Sequence, residues 1–268
     1  MNPGRLRRDA AAAVVRARAH GFTLAELAIV LVIVALLVGS LLAPLSTQID
    51  SRNLADTRRA LAEIRETLLG FAVVNGRLPC PALANVASGA AGAGLEGARD
   101  ASGCTNIAGV VPWATLGVAE TDAWGRRYSY RVTRAFTKAV PPPDISECPA
   151  PLPPLPPLSL PQSAAFALCS PGGMSVLVTA GGAGVATAVP AVVVSHGKNG
   201  QGAYTVLGTQ TAVGTDVDEQ DNQLTGAGNT MVNLDFVYKP AIPSFDDEVA
   251  WIPPGVLFSR MIRAGKLP

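Results

Sequence analysis

The longest hydrophobic segment of the chain runs from Leu27 to Leu45, where thirteen of nineteen residues are Leu, Ile or Val. No Asp, Glu, Lys or Arg occurs between Glu26 and Asp50. At about 1.5 Å per residue, a helix over residues 22–45 is about 36 Å long, whereas a hydrocarbon core is about 30 Å thick. The pattern therefore predicts a membrane-spanning helix over residues 22–45.

A second helical pattern follows between Ser46 and Val74. Its large apolar residues recur at steps of seven, three, four and three, which places them on one helical face: Leu54, Leu61, Ile64, Leu68 and Phe71. Asn75-Gly76 is typical of a helix end, because Gly accepts positive φ. The two patterns together predict one long helix whose second half, residues 46–76, packs on an outer domain.

Beyond this helix the pattern changes to the alternation that is typical of strands. Tyr128, Tyr130 and Val132 alternate with polar residues, so we expect the sheet to begin near them. Four more strands are predicted, over residues 174–179, 189–195, 204–207 and 231–238. A short helix is expected over residues 255–267. This order predicts an α+β fold, with a long N-terminal helix packed on an antiparallel β-sheet head of residues 77–268.

Two segments of the head are poor candidates for helix or strand. Residues 84–103 are rich in Ala, Gly and Ser, so we expect a flexible surface loop there. Residues 140–161 hold ten prolines, which favour extended polyproline geometry and exclude a central strand. We interpret the second segment as an insertion that Cys148 ties to the head.

Charge is distributed unevenly along the chain. The first 21 residues hold five Arg and one Asp, a net side-chain charge of +4, which favours a cytoplasmic location for this leader and places the head outside. Subtracting the leader from the totals of 21 basic and 20 acidic residues leaves 16 and 19, so the rest of the chain is near −3. This balance gives no reason to expect a nucleic-acid partner.

The junction between the leader and the apolar run contains Gly21, Phe22 and Glu26. It resembles the processing site of type IV prepilins and type II secretion pseudopilins. In that family a peptidase cuts after the Gly, and the new N-terminal Phe is N-methylated. The resemblance implies a leader of residues 1–21 that is removed after Gly21, methylation of Phe22 and an assembly role for Glu26.

The role of Glu26 can also be argued from its surroundings. A lone carboxylate in a medium of low dielectric constant is stabilised by a cation, and the α-amino group freed on a neighbouring subunit is the nearest candidate. The alternative is a carboxylate that simply interacts favourably with a helix N-terminus. For the apolar run itself, the alternatives are a secretory signal peptide, which has a shorter apolar region, and an uncleaved signal anchor.

The resemblance implies a structural subunit with a pilin-like fold rather than an enzyme. It implies an inner-membrane, single-pass protein with its head in the periplasm, later part of a pilus or pseudopilus. The expected partners are prepilin peptidase, other pilins or pseudopilins and the inner-membrane assembly platform. A bulky head favours a minor subunit. The alternatives are a membrane-tethered extracytoplasmic enzyme or binding protein, and a pilin-form adhesin or DNA-uptake receptor.

All four cysteines lie beyond the apolar run: Cys80, Cys104, Cys148 and Cys169. An even number in an oxidising compartment favours two disulfides. Of three possible pairings we favour Cys80–Cys104 with Cys148–Cys169, because each closes a loop of weak intrinsic structure. Zinc is the alternative, although no Cys-x-x-Cys pair is present.

Three segments of the head resemble parts of major pseudopilins: residues 122–128, 195–200 and 246–251. In those proteins this region binds a structural calcium ion, so the resemblance implies Asp246 and Asp247 as calcium ligands, and no other cofactor is predicted. Residues 216–221 lack the Gly and the final Glu of an EF-hand, so we interpret them as a solvated acidic turn. Ser195 and His196 are adjacent on a predicted strand and point to opposite faces, so they form no catalytic dyad.

Overall fold

The computed structural model describes residues 23–138, 164–224 and 234–267. The chain divides into two compact units, Met1–Ile49 and Asp50–Pro268. Gly21, Phe22 and Cys148 lie outside the described residues, as does the whole proline-rich segment 140–161. The predictions that concern them therefore stay predictions.

Helix α1 runs from Leu24 to Asn75 and has 52 residues. It confirms the prediction of one long helix that ends before Gly76, which has a φ of +70°. Within the first unit, the apolar side chains that the structure describes are exposed, for example Leu36 at 69%. The sequence predicted a membrane-spanning helix over residues 22–45. Among the described residues, no helix combines the length and hydropathy needed to cross a membrane.

The described part of the second unit contains eleven strands and three further α-helices. The strands are β1 (Arg99–Asp100), β2 (Gly103–Cys104), β3 (Ala108–Val110), β4 (Arg126–Arg127), β5 (Ser129–Val132), β6 (Met174–Leu177), β7 (Gly184–Val189), β8 (Ala191–Ser195), β9 (Tyr204–Thr205), β10 (Asp235–Val237) and β11 (Glu248–Ile252). The helices are α2 (Trp113–Leu116), α3 (Val217–Asn222) and α4 (Pro254–Arg263), together with a 3₁₀-helix over Arg134–Thr137.

The main sheet has four strands in the order β11-β8-β5-β3, and all of its neighbours are antiparallel. A second sheet has the order β10-β6-β7, in which β10 and β6 are parallel. The α+β prediction is confirmed, with this parallel pair as the departure from a wholly antiparallel head. The sheet also begins earlier than expected, because β3 precedes Tyr128.

The core of the head lies on both faces of the main sheet. On one face, Leu61, Ile64 and Leu68 of α1 are buried against the sheet, as the helical pattern predicted. Val193 of β8 belongs to this cluster, whereas its neighbours Val192 and Val194 belong to a second cluster with the β10-β6-β7 sheet. Successive side chains of a strand point to opposite faces, so β8 contributes to both clusters.

Residues 77–104 are held both within the segment and to the rest of the head. Within the segment, the predicted disulfide Cys80–Cys104 is present and closes a separation of 24 residues. In the segment that was expected to be a flexible loop, the carbonyls of Ala84 and Val86 accept hydrogen bonds from the buried Arg127 guanidinium at 3.0 and 2.7 Å. Arg127 also forms an ion pair with Glu120 at 2.9 Å. Fixed contacts therefore hold at least the start of this segment.

Candidate functional sites at the helix start and in an acidic cluster

The first turn of α1 contains a reciprocal pair of hydrogen bonds between Thr23 and Glu26. The Glu26 N–H donates to Thr23 Oγ1 at 3.2 Å, and the Thr23 N–H donates to Glu26 Oε2 at 2.9 Å. The Thr23 hydroxyl also donates to Glu26 Oε2 at 2.9 Å. This is a capping box, which satisfies two N–H groups that a helix start leaves free. Thr-x-x-Glu before an apolar run is its sequence signal, and the sequence analysis missed it.

The acidic cluster consists of Glu219, Asp246 and Asp247, whose carboxylate oxygens lie within 4.8 Å of one another. Glu219 comes from α3, and the two aspartates directly precede β11. Glu219 is 1% exposed and Asp247 is 3% exposed, while Asp246 is partly buried. The structure therefore places the two predicted calcium ligands beside a third carboxylate that the sequence analysis did not select.

Helix α3 replaces the solvated acidic turn that was predicted for residues 216–221. The Asp216 side chain caps α3 by accepting a hydrogen bond from the Asp218 N–H at 2.9 Å. One turn of helix then directs Glu219 into the head, where it is buried. The prediction of a solvated turn is wrong for Asp218 and Glu219, because the fold packs this helix inward. The sequence signal that could have indicated α3 is an Asp N-cap before a run of helix-compatible residues.

The loop after β8 fixes the positions of these carboxylates. The Asn199 side chain donates to Glu219 Oε1 at 2.6 Å, and the Asn199 N–H donates to Asp246 Oδ2 at 2.9 Å. Gly197 has a φ of +56°, and a Cβ at this position would overlap the Asp246 carbonyl. Two segments that resemble parts of major pseudopilins, residues 195–200 and 246–251, are thus brought together.

Asp247 is the least satisfied group of the cluster. Within the described residues, neither of its carboxylate oxygens has a hydrogen-bond partner, and Asp246 Oδ1 has none either. Burial raises the pKa of Asp247 well above its ordinary value, an interaction with the Asn222 side chain opposes this in part, and the neighbouring Glu219 and Asp246 carboxylates raise the pKa further. Burial also raises the pKa values of Asp246 and Glu219. Unpartnered buried carboxylates are costly unless a cation joins them.

The donor set of this cluster fits a hard cation. Calcium takes six to eight oxygen ligands and accepts carboxylates and main-chain carbonyls in flexible geometry. The three carboxylates of Glu219, Asp246 and Asp247 offer oxygen atoms close to one another. Zinc prefers nitrogen and sulfur ligands, so this oxygen-rich cluster matches calcium better.

His196 lies between the cluster and β5. Its Nε2 is 2.8 Å from Ser129 Oγ, and its Nδ1 is 3.8 Å from Asp247 Oδ1. Burial lowers the pKa of His196 to about 4, so the ring is neutral at pH 7. The order Ser–His–Asp resembles a hydrolytic triad, but 3.8 Å is too long for a hydrogen bond and all three side chains are buried. Ser129 is 1% exposed.

Ser195 and His196 point away from each other, as predicted. Ser195 Oγ donates to Asp122 Oδ2 at 2.6 Å, while His196 pairs with Ser129. Asp122 Oδ1 accepts from the N–H groups of Trp124 and Arg126, both at 2.9 Å. Burial nevertheless raises the pKa of Asp122. Residues 122–125 therefore form a turn before β4 that Asp122 organises, and Ser195 of β8 is hydrogen-bonded to it.

Comparison with known proteins gives one match. Residues 16–42 match the family model described as the prokaryotic N-terminal methylation motif. This motif is the signature of type IV prepilins and pseudopilins, and it includes Gly21, Phe22 and Glu26. This signal implies a pilin-like structural subunit that prepilin peptidase processes and that assembles with other pilins. Neither a curated protein nor a solved structure matches the chain.

Proposed function

We propose that this chain is a minor subunit of a type IV pilus or of a type II secretion pseudopilus. Before assembly, residues 22–45 anchor it in the inner membrane with the head in the periplasm, and an inner-membrane platform then moves it into the fibre. The observation that carries this proposal is the methylation motif at residues 16–42, which includes the start of the 52-residue helix α1. The uncharged sequence between Glu26 and Asp50 supports the anchor.

Processing is the first step of this function. Prepilin peptidase cuts after Gly21, and Phe22 becomes the methylated N-terminal residue. The freed amine of one subunit then pairs with the Glu26 carboxylate of its neighbour, which sets the axial offset between adjacent helices. The capping box supports this step, since it holds the carboxylate of Glu26 in the first turn of the helix.

The head supplies the features that favour a minor subunit. It extends over residues 77–268 and includes the proline-rich insertion of residues 140–161. Dense packing of identical heads around a fibre disfavours a head of this size. We also propose that a calcium ion joins Glu219, Asp246 and Asp247 and holds α3 against the start of β11.

The cleavage step is tested by expressing the full chain with and without an active prepilin peptidase and measuring the N-terminus by mass spectrometry. We expect loss of residues 1–21 and a methyl group on Phe22 only when the peptidase is present. Gly21→Leu is the matched control, because its side chain obstructs a narrow protease subsite while the apolar helix stays intact. A native N-terminus at Met1 in assembled material would reject the proposal.

A further inference from the structure

One edge of the main sheet is unpaired. Strand β11 is the end strand in the order β11-β8-β5-β3. Among the described residues, no backbone hydrogen bond reaches the side of β11 that faces away from β8. An unpaired edge presents a row of N–H and C=O groups that can pair with another chain. This edge is therefore a candidate surface for the addition of a strand.

The hydrogen bonds of the main sheet show which backbone groups of β11 point outward. The Thr133 N–H donates to the Pro190 carbonyl at 2.8 Å, so these two residues form a hydrogen-bonded pair at the start of the ladder between β5 and β8. Such pairs recur at every second residue of an antiparallel ladder. Val192 and Val194 of β8 therefore bond to β5, and the residues between them bond to β11.

The same alternation continues from β8 to β11. Positions 248, 250 and 252 of β11 lie opposite the β8 residues that are left to bond with them. The N–H and C=O groups of Val249 and Trp251 therefore point away from β8. These two residues offer two donors and two acceptors to an added strand.

A groove of about 300 Å³ follows this edge. Four consecutive residues of β11, at positions 248–251, line it. Consecutive side chains of a strand point to opposite faces, so a groove that touches all four runs along the edge of the strand. Its helix wall is a stripe at helical spacing on α1, formed by Arg58, Leu61, Ala62 and Arg65. We call this surface the helix–edge groove.

The two walls of the helix–edge groove lie on opposite faces of the main sheet. Leu61 belongs to the core cluster that packs α1 on one face, together with Ile252. Val249 belongs to the cluster on the other face, and Trp251 packs against it. Tyr238 also lines the groove, with its ring centroid 5.3 Å from that of Trp251. A strand added to β11 would thus direct alternate side chains towards α1 and towards these two rings.

The helix wall carries positive charge. Arg58 donates two hydrogen bonds to Glu248, at 3.0 and 2.8 Å, which neutralise its charge. Arg65 keeps 43% of its side chain exposed, and its ion pair with Glu66 is 4.0 Å long. Glu66 is closer to Arg260, at 2.9 Å. Arg65 is therefore a cation that an incoming carboxylate can approach.

Arg65 lies beside the second half of β11. Arg58 contacts Glu248 at the start of β11, and Glu66 contacts α4, which follows β11 in the chain, so α1 and β11 run in the same direction. From Arg58 to Arg65 the helix rises about 10 Å, and from Glu248 to Trp251 the strand also rises about 10 Å. A carboxylate on the α1 side of an added strand can therefore reach Arg65.

We propose that the helix–edge groove binds an extended acidic segment of a partner protein, which joins the main sheet as an antiparallel strand beside β11. The segment pairs its backbone with Val249 and Trp251, packs apolar side chains on Trp251 and Tyr238, and directs a carboxylate to Arg65. Backbone bonds supply affinity in this mode of binding, and the alternate side chains supply specificity. The proposal concerns the head alone and is independent of pilin processing.

Charge favours such a partner over a second copy of this chain. An antiparallel pair of β11 strands would bring the arginine stripes of two α1 helices onto the same face of the joined sheet. Like charges at this distance repel, whereas an acidic segment complements Arg65. The antiparallel direction follows the main sheet, in which all neighbouring strands are antiparallel.

The first test uses a fluorescein-labelled peptide, Thr-Glu-Val-Glu-Val-Glu-Thr with blocked termini, and the full-length chain in detergent. In the proposed pairing the valines face Trp251 and bond to β11, whereas the backbone groups of the glutamates point away. We expect N-methylation of the two valines to weaken binding at least about tenfold and N-methylation of two glutamates to change it less than about threefold. Fluorescence anisotropy measures both, and equal affinities of the two methylated peptides would overturn the proposal.

The second test exchanges charges across the groove. Arg65→Glu is expected to bind the glutamate peptide at least about tenfold more weakly and to bind a peptide with lysine in place of glutamate more tightly than wild type does. Arg59→Glu changes an exposed arginine outside the groove on the same helix and is expected to bind both peptides as wild type does. An unchanged preference in Arg65→Glu would overturn the proposal. A dimer that the glutamate peptide dissociates, measured by light scattering, would assign the groove to a second copy and also overturn it.

Discussion

Glu26 and Asp247 are carboxylates in opposite surroundings. Glu26 is exposed and accepts two hydrogen bonds from Thr23, whereas Asp247 is buried and has no hydrogen-bond partner within the described residues. In the proposed function, Glu26 gains an amine partner when a neighbouring subunit assembles. A buried carboxylate such as Asp247 is costly by itself, and the proposed calcium ion would compensate its charge. The comparison thus distinguishes a proposed assembly role for Glu26 from a proposed structural role for Asp247.

The largest effect is expected for Glu26 variants, which separate charge pairing from capping. Glu26→Gln keeps an oxygen for the capping box, Glu26→Ala loses both functions, and Thr23→Ala loses the cap alone. We expect both Glu26 variants to be cleaved normally but incorporated less into fibres by more than about tenfold, because the neighbour's amine loses its partner. Thr23→Ala is expected to lose less than about threefold. Quantitative blotting of sheared fibres measures this, and equal losses in Thr23→Ala and Glu26→Gln would show that capping is the function.

The lowered pKa of the buried His196 makes the stability of the head depend on pH. Its folded pKa of about 4 is below the ordinary value of 6.5, so the unfolded chain binds the proton more tightly. The stabilisation that comes from keeping His196 neutral is fully present above pH 6.5. It is lost as the pH falls towards 4, which lowers the free energy of unfolding by about 3 kcal/mol. The raised pKa values of Asp247, Asp246 and Glu219 act in the opposite direction.

The contribution of His196 is therefore measured as the difference in the free energy of unfolding between wild type and His196→Gln. Denaturant unfolding in EDTA at several pH values between 4 and 7 is expected to show wild type losing stability relative to His196→Gln on acidification. A difference that does not change with pH would contradict a buried neutral ring.

Calcium is expected to stabilise the head through Asp247. At a free concentration about 100 times its dissociation constant, the ion adds about 2.7 kcal/mol to the free energy of unfolding. Asp247→Asn is expected to abolish this gain and, in EDTA, to be at least as stable as wild type, because it removes a carboxylate whose burial disfavours its charged form. Thermal unfolding with calcium and with EDTA measures both effects, with Asp56→Asn as the exposed control. An equal calcium response in the two variants would exclude Asp247 as a ligand.

The smallest effect is expected at Gly197. Gly197 and Gly181 both have positive φ, +56° and +65°, so an Ala at either position is strained. Only at Gly197 would the new Cβ meet Asp246, whereas no atom lies within 4 Å at Gly181. We expect Gly197→Ala to be less stable than Gly181→Ala by about 1 to 2 kcal/mol and to respond less to calcium. Equal stabilities would show that the loop can move away from Asp246 without cost.

The sequence was most informative where the determinants are local. The apolar period of α1, the methylation motif and the disulfide between Cys80 and Cys104 all depend on residues that are close together in the chain, and the fold and family predictions built on them are confirmed. The four predicted strands after Val132 are also found, and β6, β8 and β9 are shorter than predicted. Propensity identifies such elements because their own residues favour them.

The sequence failed where distant segments meet. Ser129 and His196 are 67 residues apart, and Glu219 and Asp246 are 27 residues apart, so no local pattern indicates either contact. The acidic residues of α3 have the composition of a surface turn, and only tertiary packing buries Glu219. The parallel pairing of β10 with β6 likewise depends on how the chain returns to the sheet.

The ion pair between Arg58 and Glu248 joins positions that are 190 residues apart in the chain. It connects the second half of α1 to β11, the last strand of the main sheet in chain order. A force applied along α1 would therefore reach β11 through this ion pair as well as through the apolar contacts of Leu61, Ile64 and Leu68. Such a force would be shared between an early and a late segment of the sequence.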